Sequence, residues 1–134
     1  MAGLNSFQVG AVARLDIAFT LALDLPGVAV GILIRDRLGN DIYRSIFPDL
    51  GLDVMSGTSG VKLLVSLTLP LNLGVRNYSV AVALGGYRSH MKDCLDWIEQ
   101  ALVFQIFQGD RPQFIGCTQL AGGGSRGWTK EARL

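Results

Sequence analysis

Few ionisable side chains in this sequence are suited to catalysis. His90 is the single histidine and therefore the natural general base near neutral pH. Ser89, His90 and Asp93 could form a nucleophilic set, but neighbours in sequence seldom point toward one another, and no Gly-x-Ser-x-Gly elbow occurs. A small hydrolase that depends on His90 is therefore the least favoured hypothesis.

Two glycine-rich stretches resemble phosphate-binding loops only superficially. Residues 57–62 are too few for such a loop, and residues 122–127 are followed by Trp128 where the phosphate-gripping lysine should stand. Neither stretch predicts a nucleotide site. Three carboxylates recur at a spacing of three, which is typical of a solvated face of one helical turn: Asp93, Asp96 and Glu99.

The two cysteines, Cys94 and Cys117, are too few for a disulfide framework and lack the partners of a zinc site. We therefore predict neither a metal nor another cofactor. A reducing cytoplasm is consistent with this cysteine content.

Arginines and aromatic residues offer a binding chemistry instead. Nine arginines outnumber three lysines, and the guanidinium fork can grip a carboxylate or phosphate with two parallel hydrogen bonds. Tyrosine and tryptophan provide flat apolar platforms with polar edges, on which sugar rings stack. Tyr78 and Trp97 are each more typical of a core position than of a ligand contact, and for Trp97 both interpretations stay open. The candidate ligand contacts are Arg35, Arg37, Tyr43, Arg44, Arg76, Tyr87, Arg88 and Trp97.

Length and composition limit what these residues can belong to. The chain has 134 residues, which predicts one domain, and its 49% hydrophobic and 17% charged content excludes a disordered chain. A net charge of +1 argues against nucleic acid as a partner. The apolar run at residues 25–34 is half the ~20 residues of a membrane helix, and the sequence near Met1 lacks a signal-peptide pattern.

Alternation with a period of two dominates the first half of the chain. It predicts strands around Phe7–Ala11 and Ile17–Leu23, the second ending at a Pro26-Gly27 turn. Val28–Ile34 and Ile42-Tyr43, separated by a turn cluster, predict a hairpin. Residues 48–60, rich in glycine, proline and aspartate, predict a connecting loop.

The second half continues the pattern. Val61–Leu69 and Tyr78–Leu84 predict a second strand pair, and Arg88–Trp97 a polar connection with one helical turn. Further strands are expected at Ala101–Phe107 and Phe114–Leu120. About seven short strands without long helical periodicity predict an antiparallel β-sandwich over residues 1–120, followed by a flexible tail at 121–134.

Three segments, in their order and spacing, resemble a known family. They are Val30–Tyr43, Leu73–Val80, and His90 followed by Asp96–Phe104, with Phe114-x-Gly116, Leu120 and Trp128 similar to a closing segment. The likeness spans roughly residues 7–120 and is to the C-terminal domain of Wzt, the nucleotide-binding component of ATP-binding-cassette exporters of bacterial O-antigen polysaccharide. The chain departs from the family at residues 44–47, where a glycine-threonine-asparagine-threonine-like stretch is common.

The resemblance implies a non-catalytic carbohydrate-binding module with an immunoglobulin-like fold, often a homodimer through exchange of the last strand. Such a module reads a cap on the non-reducing glycan end: methyl, methyl phosphate or a keto-sugar acid. The absence of ATPase motifs implies one domain of a longer chain, which would act in the cytoplasm, peripheral to the inner membrane, with the transporter's membrane subunit.

Two hypotheses follow. In the first, an apolar platform holds the terminal sugar ring and an arginine fork grips an acidic cap. In the second, the chain is a structural dimerisation domain that touches no sugar, with a final strand exchanged beyond the flexible residues 109–112.

Overall fold

The chain folds as an all-β sandwich in a computed structural model that describes residues 5–47, 55–86, 94–120, 122 and 124. Eight strands lie within those residues. They are β1 (Asn5–Gln8), β2 (Val12–Thr20), β3 (Leu25–Asp36), β4 (Asp41–Phe47), β5 (Met55–Gly57), β6 (Lys62–Pro70), β7 (Asn77–Gly86) and β8 (Cys94–Phe107).

Two sheets of unequal size face each other. The larger follows the order β1-β8-β7-β3-β4, with β5 also paired to β3, and the smaller contains β2 and β6. All described strand pairs are antiparallel except β1 with β8, which is parallel. The predicted antiparallel sandwich is therefore confirmed, with one parallel pair at a sheet edge.

The core lies between the sheets and follows from the alternation in the sequence. On β3 the residues of one parity, Val28, Val30, Ile32 and Ile34, are buried in the main hydrophobic cluster. Burial of side chains of this size contributes about 1.5–3 kcal/mol each to folding. The opposite parity of β3 is thereby turned to the other face of the large sheet.

Tyr78 belongs to this core. Its ring stacks on Phe104 at a centroid distance of 5.3 Å, and its hydroxyl donates a 2.8 Å hydrogen bond to the Gly74 carbonyl. Burial raises the pKa of the phenol above its ordinary value. The expectation that Tyr78 is a core residue is therefore confirmed.

The turn between β3 and β4 is organised by a buried carboxylate. Asp36, 6% exposed, accepts hydrogen bonds from the amides of Leu38 and Asn40 and from the Asn40 side chain, all 2.9 Å long. These bonds, the Asn40 side chain first, lower the pKa of Asp36. The predicted hairpin is confirmed, and Asp36 fixes the direction in which β3 leaves the turn.

Three predicted local features are wrong. Pro26-Gly27 lies inside β3, at an irregularity in the pairing with β5 where proline's missing N–H breaks no regular ladder. The predicted loop 48–60 contains β5. The strands predicted as a second pair are in different sheets, since β6 pairs with β2 and β7 pairs with β3 and β8; alternation specifies a face but not a partner.

The C-terminal predictions also need correction. Cys94–Trp97 are part of β8 rather than a connection with a helical turn, so Asp96 and Glu99 lie on a strand. Phe114–Leu120 forms no strand in the structure; an isolated bridge joins Leu73 to Thr118, and Phe114 packs against the core.

Candidate ligand-binding site

The face of the large sheet that points away from the core carries a row of very small side chains between two large ones. The register places Trp97 of β8 beside Ala83 of β7, Ala83 beside Gly31 of β3, and Gly31 beside Ile46 of β4. Partners in register share a face, so Trp97 and Ile46 flank the space over Ala83 and Gly31. With strands ~4.8 Å apart, this space is about 14 Å across between the flanking backbones. We call it the groove.

The row next to it continues the apolar floor. Leu33 of β3 lies between Ala81 of β7 and Arg44 of β4. Leu33 is 2% exposed and Ala81 3%, although neither belongs to the core between the sheets. Side chains on the groove face therefore shield this part of the floor from water. Trp97 and Ile46 keep about 40% of their surface exposed, which leaves them accessible to a ligand.

A bulge in β8 directs an acidic residue toward the groove. Val80 pairs with Leu102 and Val82 with Ile98, so residues 99–101 stand opposite the single residue Ala81. Gln100 in the bulge has φ 48°, which is the left-handed region and costs about 1–2 kcal/mol for a residue with a side chain. Glu99 is thereby turned toward β3.

Glu99 is the centre of a chain of hydrogen bonds. One carboxylate oxygen accepts a 2.7 Å bond from the Trp97 indole, and the other accepts a 2.8 Å bond from Arg35. Arg35 also donates to Asp41 at 3.2 Å. These bonds, Trp97 first, lower the pKa of Glu99, and the bonds to Asp41 and then Glu99 raise the pKa of Arg35. Glu99 is ionised near neutral pH and holds the indole in one orientation.

Arg44 is a second cation on this face. It is exposed and, among the residues that the structure describes, makes no ion pair. It comes from residues 44–47, where the sequence departs from the family pattern, and so does Ile46. Residues 44–47, which differ from the family pattern, thus supply two side chains to the groove.

The predicted contacts do not all come together. Arg35, Arg44 and Trp97 share the groove face. Arg37 and Arg76 instead line a separate depression of about 480 Å³ at the end of β3, where Arg76 lies 3.5 Å from Asp36. Tyr43 pairs with Ile34 and packs against the core. Tyr87 and Arg88 lie outside the described residues.

Several residues of the groove were not anticipated as contacts. Gly31, Ala83 and Ile46 form its floor and one wall, and Glu99 and Asp41 provide its acceptors. The small residues at every second position of β7, from Ser79 to Gly85, together with Gly31 on β3, were the available signal for the floor. The bonding of Glu99 to Trp97 depends on the bulge, which no pattern in the sequence marks.

A second feature that sequence reasoning missed is a cavity between the sheets. It has a volume of about 170 Å³ and is lined mainly by apolar side chains, including Phe7, Leu15, Ile34, Leu69 and Phe104. Asn5 and Arg14 provide the polar part of its lining.

The residues considered for catalysis, Ser89, His90 and Asp93, lie outside the described part of the chain. Within that part, no three or more histidine, cysteine or acidic side chains form a cluster that could hold a metal. Cys117 is exposed and not in a disulfide. No helix among these residues has the length and apolarity needed to cross a bilayer.

Chemically, the groove combines an apolar floor, an oriented aromatic platform, carboxylate acceptors and one unpaired cation. Indole faces pack on the C–H faces of sugar rings, and carboxylates accept hydrogen bonds from their hydroxyl groups. The arrangement is suited to binding a sugar.

Comparison with known proteins agrees with this description. The family model described as the Wzt C-terminal domain matches residues 2–120. Among solved structures, the crystal structure of the C-terminal domain of wzt is similar with a TM-score of 0.79 and 16% sequence identity, over 92% of this chain and 73% of that one. No curated protein matches.

Proposed function

The chain belongs to the Wzt C-terminal domain family, and from that premise we propose that it is a non-catalytic module that recognises the modified non-reducing terminus of O-antigen polysaccharide. The family confirms the resemblance seen in the sequence and gives the context of the O-antigen exporter, in which this domain is separate from the ATPase. That this domain recognises the end of the glycan is a more specific proposal than its place in the exporter. The chemistry of the groove supports it.

One observation carries the proposal: Trp97 is held beside a floor of Gly31 and Ala83 by a hydrogen bond to Glu99. Side chains this small in the middle of a sheet leave room for a ligand, and an oriented indole loses little freedom when a ring stacks on it. An indole that was not held by a hydrogen bond would lose more freedom on binding, and its stacking on a sugar ring would contribute less binding free energy.

The groove is shallow, and this predicts weak binding. One platform and a few hydrogen bonds support roughly −4 to −6 kcal/mol, which corresponds to a dissociation constant from tens of micromolar to millimolar. Weak binding suits a substrate that must be released after it is recognised. In this proposal the module acts at the cytoplasmic side of the inner membrane, with the transporter's membrane subunit as its partner and without a cofactor.

Replacing the platform tests the proposal. Trp97→Ala should weaken binding of the domain to intact O-antigen about tenfold, because aromatic contacts of this kind contribute about 1 kcal/mol beyond their buried area. Leu64→Ala is the matched control, since Leu64 is equally apolar and 60% exposed but lies on the small sheet. Equal affinity of all three proteins, measured by titration calorimetry, would contradict the proposal.

A second candidate role, dimerisation by exchange of the C-terminal segment, is favoured by a different observation. Residues 112–120 are tied to the loop after β6 by few backbone bonds, Gly74 to Cys117 at 3.1 Å and Gln119 to Asn72 at 2.8 Å. Within the described residues, β2 and β6 each also have one unpaired edge. A segment so lightly held can be replaced by that of a second copy at little cost.

Removal of residues 113–134 tests this role. We expect the full chain to be a dimer by light scattering and the shortened chain to be monomeric or unfolded, which circular dichroism distinguishes. A shortened chain that remains a folded dimer would refute the exchange. The two roles are compatible, because the groove and residues 112–120 involve different residues.

A further inference from the structure

Among the residues that the structure describes, the positive and negative charges on the groove face are equal in number. Arg35 and Arg44 are opposed by Asp41 and Glu99, and Arg35 is already bonded to both carboxylates. Arg35, one of the candidate grips for an acidic cap, is therefore neutralised within the protein. An anion entering beside Trp97 would meet the Glu99 carboxylate at close range, which opposes its binding.

The hydrogen-bonding capacity of the same residues is one-sided. Each oxygen of Glu99 accepts one bond, from Trp97 or from Arg35, and a carboxylate oxygen can accept two. Asp41 accepts from Arg35 through one oxygen. The free positions next to Trp97 are thus those of Glu99, which are acceptors and require donors such as hydroxyl groups from the ligand, whereas Arg44 on β4, at the opposite side of the groove, keeps its donors free within the described part of the chain.

The floor adds a preference of its own. Gly31 and Ala83 present no polar side chain, and Ile46 closes the far side. A group that cannot hydrogen-bond loses nothing on this floor, whereas a charged group would lose its water without replacement. The apolar floor and the carboxylate acceptors therefore both favour an uncharged ligand that carries hydroxyl groups.

We propose that the groove takes an uncharged sugar terminus, with an apolar face or substituent on Trp97 and the small-residue floor and with hydroxyl groups donating to Glu99 and Asp41. This inference rests on the proposed function and names the class of terminus that it reads. It replaces the acidic cap expected from the arginine content with a neutral one.

The sign of a charge change tests the class of ligand. Glu99→Gln removes one negative charge and an acceptor but keeps the size of the side chain. For a neutral, hydroxyl-bearing terminus we expect binding of intact O-antigen polysaccharide to weaken at least fivefold. For an anionic terminus the same substitution makes the groove more positive and would strengthen binding. Asp41→Asn should act in the same direction as Glu99→Gln.

Two further measurements complete the test. Asp16→Asn is the control, because Asp16 also pairs with an arginine, Arg14 at 2.8 Å, but on the small sheet. Between 50 and 500 mM sodium chloride the wild-type affinity should change less than twofold, since screening acts on charge–charge contacts. Stronger binding by Glu99→Gln, or marked weakening by salt, would overturn the neutral-terminus inference and leave the proposed function intact. No binding by the wild-type chain would overturn both.

Discussion

Filling the groove from its floor should abolish binding while making the fold more stable. Gly31 lies in the middle of β3 with an ordinary backbone conformation, and a β-carbon there would meet Ala83 at 3.7 Å and Ile46 at 3.9 Å. Both are normal van der Waals separations. A β-carbon at residue 31 therefore fits the sheet without strain, and Gly31→Leu places the rest of its side chain where the proposed ligand lies.

The two expected effects have opposite signs. Glycine in a strand costs about 0.5–1 kcal/mol relative to alanine, so the variant should gain at least that amount in its free energy of unfolding, measured in urea. Loss of the floor removes most of a binding energy of roughly −4 to −6 kcal/mol, which takes the affinity beyond a calorimetric titration. A variant that is more stable but does not bind cannot be explained by misfolding.

Ala18→Leu is the matched control for this substitution. Ala18 is an exposed position in the middle of β2, on the small sheet, and a leucine there adds the same apolar surface at a distance from the groove. We expect its affinity for the glycan to equal that of the wild type. If Gly31→Leu binds within twofold of the wild type, the groove is not the binding site and the reasoning fails.

Three further predictions concern the scaffold. Tyr78→Phe should lower the free energy of unfolding by about 1–2 kcal/mol in urea, because the Gly74 carbonyl loses its buried donor; an unchanged midpoint would contradict this. The pKa of Asp36 is lowered on folding, so the ionised carboxylate stabilises the fold fully above about pH 4, and this stabilisation is lost as the pH falls through the folded-state pKa. The difference in free energy of unfolding between the wild type and Asp36→Asn should therefore shrink from pH 7 to pH 3. A difference that stays constant would contradict this. Gly74→Ala would push a β-carbon against the Gly116 carbonyl and should expose residues 112–120 to proteolysis, whereas Gly122→Ala, with open space around it, should not.

Much of the fold follows from the sequence because burial imposes a period of two on strands. Val28–Ile34 and Val61–Leu69 show their inner faces directly, and both are strands in the structure. Which strands pair with each other cannot be predicted in the same way, since a strand with one apolar face is compatible with either sheet. β6 belongs to the small sheet because the chain crosses to the large sheet after Pro70. The hydrophobic alternation does not predict this crossover.

The groove was predictable only in part. Arginine and tryptophan in predicted strands identify surface chemistry, and Arg35, Arg44 and Trp97 do share one face. Tyr43 shows where such a prediction fails. It directly precedes Arg44 on β4, and because side chains alternate along a strand it faces the core instead of the groove. The bulge at residues 99–101 shifts the register of β8, so the pairing of Glu99 with Trp97 and Arg35 could not be read from spacing.

Strain at the bulge is consistent with this account of the groove. Gln100 keeps an unfavourable conformation within β8, and the structural result is that Glu99 reaches both the indole and Arg35. Strained backbone of this kind tends to occur at binding sites, where a specific side-chain direction is worth its cost.

The most direct test of the central claim compares intact O-antigen polysaccharide with the same polysaccharide after removal of its terminal modification. The Trp97 indole N–H, which donates to Glu99, is a reporter at the groove in nitrogen-resolved proton spectra. We predict that its resonance shifts on titration with the intact polysaccharide and stays in place with the trimmed one. Equal shifts with both would show that the domain does not read the glycan terminus.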